Sequence, residues 1–482
     1  MEIRKSAAAR KFYDADPEKL KQTVLKYLDC GPAETDGEII GILAPHAGYA
    51  YSGAMAGRAF SRLEGIKADT FVIIGTGHTM SVKGGALIAG GLFETPLGRV
   101  AVDDRLAAEL LKTPSLFENL PEAHEAEHSI EVQLPFLQVL SAKQAGGKGG
   151  DFKILPILFN TDNTGALIKA GKALAGRLKG RKAVICVSSD LSHYPPGDIA
   201  SVSDKSIMLS LQSALRNADP GYFDLACRLA LEKNRSKMGT AACGQAAIIA
   251  GAAAAIELGA DDFELAGYAH SGMVSGDEGN VVGYAAGVFA KTGKKRSGAI
   301  TLTAEIKLEL LAQARKNIED YAKNGRITPL PMSQRLEFNQ PAAVFVTLTE
   351  NGRLRGCIGS MEPGAALADA VGAYAVSAAF NDPRFSPVKR NELPKIKIEI
   401  SILSPLKRIA SYAEVEPRRH GVYVVRGAKS GTYLPQVWEH FNTREEFLSS
   451  LCLEKAGLDA NAWKEKSTAL YIYTVDSFEE RP

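Results

Sequence analysis

Two histidines in this chain follow short β-branched runs. EIIGIL leads into APHAGYAYSG and puts His46 just past a predicted strand, while TFVIIGTGHT puts His78 at the equivalent place after another. In a parallel sheet the loops beyond the carboxyl ends of the strands converge, so two imidazoles placed this way can meet in space. A third run, KAVICV, ends in SSDLSHY and carries Asp190 and His193 to the same rim. His128 opens EHSIEVQLPFL, so four of the eight histidines lie in loops or at a helix start within one region. Cys243, in GTAACGQAA, is expected at the start of a helix, where backbone N–H groups and the helix dipole favour a thiolate. Imidazole together with thiolate suits iron, copper or zinc, whereas an oxygen-only set would suit magnesium or calcium.

Each residue taken singly has a plainer role. A lone histidine after a strand is more often a turn residue bonded to backbone, a free cysteine is more often a small buried hydrophobe, and Asp190 could cap the turn at 189–193. The convergence of several on one rim favours a shared polar site.

The elements that must position these residues alternate. EIIGIL, TFVIIG, FKILPILF, KAVICV and FELAGY read as strands, separated by helical patterns such as 203–217 and 243–258. That alternation predicts βαβ units around a mostly parallel sheet, an α/β fold. ALIAGGLFETPLGRVAVD, with Gly and Pro between two extended runs, reads as a hairpin inserted into it, and SAKQAGGKGGDF (141–152) as an internal loop. At 482 residues the chain exceeds one ordinary core, and the seam is KTGKKRSGAI, where four basic residues with Gly and Ser separate a strand from a new amphipathic helix. The expected division is a first domain over 1–290, a linker over 291–302 and a second domain over 303–482. In the second, a helix over 303–324 precedes AAVFVTLTENGRLRGCIGS, where Asn351-Gly352 signals a hairpin. A helix, a strand pair around KIKIEISIL, a hairpin at Gly427–Gly431 and a final helix and strand make it α+β.

Composition excludes several classes. Apolar content of 45% and charged content of 23% are those of a folded globular protein. A net charge of +2, with both signs interspersed, argues against nucleic acid and membrane lipid as partners. The stretch Ala246–Ile256 falls short of the ~20 apolar residues of a membrane helix, and MEIRKSAAARKFYDADPEKL has no apolar core of the secretory kind. Six cysteines without paired spacing fit a reducing compartment, so a cytoplasmic protein is expected.

APHAGYAYSG, HSIEVQLPFL and SSDLSHY resemble the signatures of the Memo-like family, over roughly residues 5–290. That family is similar in fold to the class III extradiol dioxygenases, whose non-haem Fe(II) is held by two histidines and a carboxylate. The resemblance implies His46 and His78 as ligating histidines and Cys243 at the position where Memo-like proteins carry cysteine. A thiolate in place of the carboxylate would push electron density onto the metal, so ring cleavage does not follow automatically. Asp190, His193 and His128 are then candidates for acid–base work or for holding the ligands from behind. His193 is the first choice of base and His128 the second.

In LRGCIG, Arg355 and Cys357 share one face of a strand, and Gly356 and Gly359 allow a close approach. LRGCIG, FNDPRFSPV and LPQVWE together resemble the AMMECR family over about 303–478, whose members share that motif without an established reaction. Arg355, Cys357, Asp382, Arg384 and Glu439 would form a polar cleft; with no histidine in the motif, binding ranks above catalysis there. The fusion resembles the AmmeMemoRadiSam system, which implies a radical S-adenosylmethionine protein as a separate partner, because this chain lacks a close three-cysteine cluster. Three readings stand at this point: an Fe(II)-dependent oxidoreductase of dioxygenase type acting on a small, aromatic or related molecule; a non-catalytic metal- or peptide-binding accessory of the radical enzyme; and a zinc hydrolase.

Overall fold

The computed structural model describes residues 2–31, 34–145, 151–294, 298–327, 333–409, 411–465 and 467–480. The chain forms two compact units, Met1–Arg296 and Ser297–Pro482, so the division falls inside the expected linker. The linker begins slightly later than expected, because Lys291 still closes a strand, paired with Glu38. Thr292 and Gly293 then donate their backbone N–H groups to Asp261.

Among the described residues the first unit holds an eleven-stranded sheet: β1 (Ile3–Arg4), β2 (Glu38–Ala44), β3 (Thr70–Thr76), β4 (Gly85–Leu87), β5 (Leu92–Thr95), β6 (Gly98–Val102), β7 (Phe117–Asn119), β8 (Lys153–Phe159), β9 (Ala183–Ser188), β10 (Asp262–His270) and β11 (Gly283–Lys291). Its main order is β1-β5-β6-β8-β3-β9-β2-β11-β10, with β4 branching from β8 and β7 paired to β4. The central strands β8, β3, β9 and β2 are parallel. β5 and β6 form the expected inserted hairpin, and β11 and β10 add an antiparallel margin.

The run TFVIIGT of β3 is buried along its whole length because both sheet faces are covered. Val72 and Ile74 enter one apolar layer, shared with helices Thr164–Leu178 and Gln245–Glu257. Phe71 and Ile73 enter the opposite layer, shared with helices Tyr49–Ser61 and Leu134–Gln144. Each fully buried Val or Ile contributes roughly 1.5–3 kcal/mol, so these layers fix the strand ends from which the site loops start. The loop expected at 141–152 is shorter than predicted, since the helix runs to Gln144 and β8 begins at Lys153; 146–150 lie outside the described residues. All six cysteines are free, and among the described residues no helix is long and apolar enough to cross a membrane.

The second unit is α+β. Its first helix spans Ala304–Asn324, with the Thr303 hydroxyl accepting the Ile306 N–H and Gly325 closing the far end at φ +65°. The stripe Ile306, Leu310, Ala314 and Ile318 packs with helix Leu367–Phe380 onto the sheet. That sheet comprises β12 (Pro341–Glu350), β13 (Arg353–Gly359), β14 (Ala365–Ala366), β15 (Ile396–Leu403) and β20 (Val475–Glu479), with β13 at one edge. A second sheet holds β16 (Lys407–Ile409), β17 (Gly421–Arg426), β18 (Lys429–Tyr433) and β19 (Ala469–Tyr473). Asn351 and Gly352, at φ +50° and +74°, make the two-residue turn of the β12–β13 hairpin. The β17–β18 turn is tighter than expected, since Arg426 already pairs with Lys429 and Gly431 lies inside β18. A Cβ at Gly431 would come within 2.6 Å of the Ala456 backbone nitrogen, so the glycine permits a close approach there.

Candidate metal centre

β2, β3 and β9 lie side by side, and their carboxyl ends deliver the polar residues to one rim. His46 follows β2 after a single proline, His78 follows β3, and Asp190 and His193 follow β9. The His46 ring centroid lies 5.1 Å from that of His78 and 5.3 Å from that of His128, and the last two rings are stacked at 4.8 Å. His46, His78 and His128 each bring a ring nitrogen within 4.8 Å of the others, and His46, Asp190 and Cys243 form a second group of the same tightness. His46 is common to both, with its Nε2 3.1 Å from the Cys243 sulfur.

The protonation of His46 follows from its neighbours. Ser188 Oγ donates its one hydrogen to the Ser129 carbonyl (2.6 Å) and receives one from Gln133 Nε2 (2.8 Å). Gln133 Nε2 also reaches the Pro45 carbonyl, which identifies that atom as the amide nitrogen. Ser188 can therefore only accept from His46 Nδ1, 3.1 Å away, and His46 keeps a lone pair on Nε2, facing Cys243. Glu127 lies behind His78. Its carboxylate accepts from His78 Nδ1 at 3.0 Å and from the backbone N–H groups of His78, His128 and Ser129.

Burial sets the charges. It pushes the His46 pKa well below the usual histidine value, helped by the neighbouring imidazoles, and takes His128 down to about 4. His193 is lowered too, by burial and by His78. Burial opposes ionisation of Glu127, but the His78 hydrogen bond and the Ser129 N–H outweigh it and hold its pKa below the carboxylate range. For Cys243, burial and the nearby Asp190 push the thiol well up. This corrects the expectation of a dipole-stabilised thiolate. The helix begins at Gln245, two residues later, and desolvation wins. A thiol raised in this way keeps its proton at neutral pH, and a bound metal would have to displace it.

Of the proposed acid–base residues, Asp190 Oδ1 accepts the backbone N–H of His46 (2.7 Å) and of Ala47 (3.2 Å), so its carboxylate holds the His46 turn; burial raises its pKa to about 7. His193 is fixed by its backbone, bridged to Thr240 and Val282, and its buried Nε2 has no hydrogen-bond partner among the described residues. His128 belongs to the imidazole cluster, its ring stacked on Phe12 at 4.3 Å. A cleft of about 900 Å³ opens beside His78 and Cys243, lined also by Asn160, Asp162, Asp224 and Gln245. Asn160 Nδ2 donates to the Gly77 and Met80 carbonyls and so pins the loop that carries His78.

Glu127, Ser188 and Gln133 escaped the sequence reading. Their signal was polar residues in segments otherwise bound for the interior: Gln133 inside HSIEVQLPFL, Ser188 closing KAVICVS and Glu127 directly before His128.

In the second unit, three of the five cleft residues, Cys357, Asp382 and Arg384, meet at the β13 edge. Asp382 Oδ2 accepts the Cys357 N–H at 2.8 Å, Arg384 donates to the Cys357 carbonyl at 3.0 Å and to Asp382, and Thr347 Oγ1 donates to the Cys357 sulfur at 3.3 Å. Arg355 pairs with Glu392 at 2.9 Å. Asp382 and Arg384 thus occupy the outward backbone groups of an edge strand, where a neighbouring strand would otherwise pair. Glu439 is exposed in the short helix Pro435–His440 and makes no hydrogen bond or ion pair among the described residues.

An imidazole and thiol cluster above the carboxyl ends of a mostly parallel, two-faced sheet defines the class as an α/β protein with a candidate metal centre, here joined to a separate α+β unit. The Memo-like protein family model matches residues 4–288 and the AMMECR1 model residues 311–478. The chain belongs to the Memo-like family, as a fusion of a Memo-like and an AMMECR1 domain. A MEMO1 family protein of Pyrobaculum aerophilum is 36% identical over 300 residues, covering 60% of this chain and 99% of the relative. One of Methanococcoides burtonii is 37% identical over 287 residues, covering 59% and 98%. Among solved structures, an uncharacterized protein, PH0010, from Pyrococcus horikoshii is 35% identical, with a TM-score of 0.34, covering 36% of this chain and 90% of its own.

Proposed function

We propose that the first unit is a metal-dependent oxidoreductase of the dioxygenase-like kind, its ion held by His46, His78 and Cys243. The observation that carries this reading is the lone pair of His46 Nε2 against the Cys243 sulfur at 3.1 Å, beside a second imidazole. Two imidazole nitrogens and a sulfur fit a borderline-soft ion, and Fe(II) is taken ahead of copper or zinc because the dioxygenase-like reading calls for it. Bound there, Fe(II) would supply one-electron chemistry and open coordination positions. The chain's own residues do the rest. Asp190 fixes the His46 turn, the cleft beside His78 and Cys243 is assigned to a small oxygenated, aromatic-type molecule, and His193 is assigned to take a substrate proton.

The test is elemental analysis of the full chain reconstituted without oxygen. About one iron per chain is expected, lost in His46→Ala, His78→Ala and Cys243→Ala, with oxygen uptake once a substrate is found. Retention of iron by Cys243→Ala would remove the sulfur from the set; one tightly held zinc and no iron would favour the hydrolase.

The fusion itself favours a second reading, in which this chain serves a radical S-adenosylmethionine protein as a metal- or peptide-binding accessory. That reading expects a stable complex with such a partner and no turnover by this chain alone, and turnover by the purified chain overturns it.

A further inference from the structure

We infer that Glu127 is the positioning residue of the centre. Its carboxylate fixes the tautomer of His78 so that Nε2, and not Nδ1, faces the ion. The inference rests on the metal reading above for its function, though its geometry stands alone.

Both oxygens of Glu127 are engaged as acceptors. Oε2 takes the His78 backbone N–H at 2.7 Å, and Oε1 takes His78 Nδ1 at 3.0 Å and the N–H groups of His128 and Ser129 at 2.9 Å each. The side chain is 1% exposed, so water does not share this work. A carboxylate offers only acceptor positions, so the hydrogen between it and His78 belongs to Nδ1, and Nε2 is the ring nitrogen left for a metal. An amide could not replace it, because one of its two ends is a donor and would meet an N–H group.

The same carboxylate gathers two histidines from different segments. It holds His78 by ring and backbone, and His128 by its backbone N–H, with His128 Nδ1 3.3 Å from Oε1. Glu127 is itself held from behind, since Arg4 Nη2 donates to its carbonyl at 2.5 Å. Arg4 also pairs with buried Glu131, which accepts Ser6 Oγ, the Ala7 and Ala8 N–H groups and Tyr13 OH. Phe12, in the same segment, stacks on His128 and accepts the Tyr49 N–H through its carbonyl. Residues 4–13 are therefore tied to the Glu131 carboxylate and to the Glu127 backbone carbonyl, which leaves the Glu127 carboxylate as the anchor of His78 and His128. A bare structural cap would be indifferent to which His78 nitrogen carries the proton; this anchor is not.

The experiment uses the full chain with 15N-labelled histidine, free of metal, at neutral pH. The wild type is expected to show His78 as the Nδ1–H tautomer, and Glu127→Gln to show it mixed or inverted. Zn(II) and Fe(II) titrations against a competing chelator are expected to give 10–100-fold weaker binding for Glu127→Gln, with the circular dichroism unchanged. The Nε2–H tautomer in the wild type, or a folded Glu127→Gln chain that binds within twofold of wild type, overturns the inference. If Glu127→Gln does not fold, the wild-type tautomer alone decides. A wild type that binds neither ion sinks the metal reading and leaves the tautomer result to judge Glu127.

Discussion

His46 Nδ1 sits 3.1 Å from Ser188 Oγ, and because the serine hydrogen is spent on the Ser129 carbonyl the contact runs in one direction, from imidazole to hydroxyl. Ser188→Ala removes that acceptor and leaves Gln133 Nε2 with the Pro45 carbonyl alone. His46 is then free to place its proton on Nε2, toward the sulfur. Metal affinity is expected to fall about tenfold, the lower end of what such outer partners contribute, and stability by about 1–3 kcal/mol for the orphaned buried donor. Chelator competition and urea unfolding read the two effects separately; an unchanged affinity would show that the ring is oriented by packing alone.

Asp382→Ala tests the edge closure of β13. The Cys357 N–H loses its acceptor and Arg384 loses the partner that aims it at the Cys357 carbonyl. The Arg384 hydrogen bond, with help from the Cys357 N–H, outweighs the cost of burial and holds the Asp382 pKa well below the carboxylate range. The variant is expected to lose about 1–3 kcal/mol and to self-associate through the exposed strand. Light scattering at fixed concentration checks the second effect. If the variant stays monodisperse and as stable as wild type, the pair has no edge-closing role.

The pattern of what the sequence disclosed has a physical reason. His46, His78, Asp190 and His193 were legible because strands betray themselves through buried β-branched runs and a parallel sheet collects its ligands at one end. Whether these side chains point at a common ion depends on partners far along the chain, and hydrogen bonds such as Gln133 to Ser188, 55 residues apart, leave no local periodicity. Cys243 was legible as a candidate, but its charge was misjudged, because helix position is local and desolvation is not. In the second unit Asn351-Gly352 announced its own turn. The motif carrying Asp382 and Arg384 read as a cleft, whereas those two side chains close a strand edge, a distinction that needs the sheet order.

Asp204 gives the pH dependence. Its carboxylate is fully buried and meets neutral donors: Ser192 Oγ at 3.0 Å, Ser192 N–H at 3.2 Å and Tyr268 OH at 2.9 Å. A Cβ at Gly283 would fall 1.7 Å from Oδ2, so the glycine makes room for it. Burial raises its pKa to about 7, only partly offset by those hydrogen bonds. The folded chain therefore holds this proton where the unfolded chain, with a pKa near 3.9, has released it. Between about pH 4 and 7 the folded state binds more protons, so stability falls as pH rises and levels off above 7. The full loss is of the order of 4 kcal/mol at 1.36 kcal/mol per unit. Asp204→Asn keeps an acceptor for the Ser192 N–H and cannot ionise. Its Tm is expected to fall less steeply than the wild-type Tm between pH 5 and 8, and to overtake it at the alkaline end. Asp190 is raised in the same way and present in both proteins, so the difference between the two curves isolates Asp204. Parallel curves would mean that Asp204 does not titrate in this range.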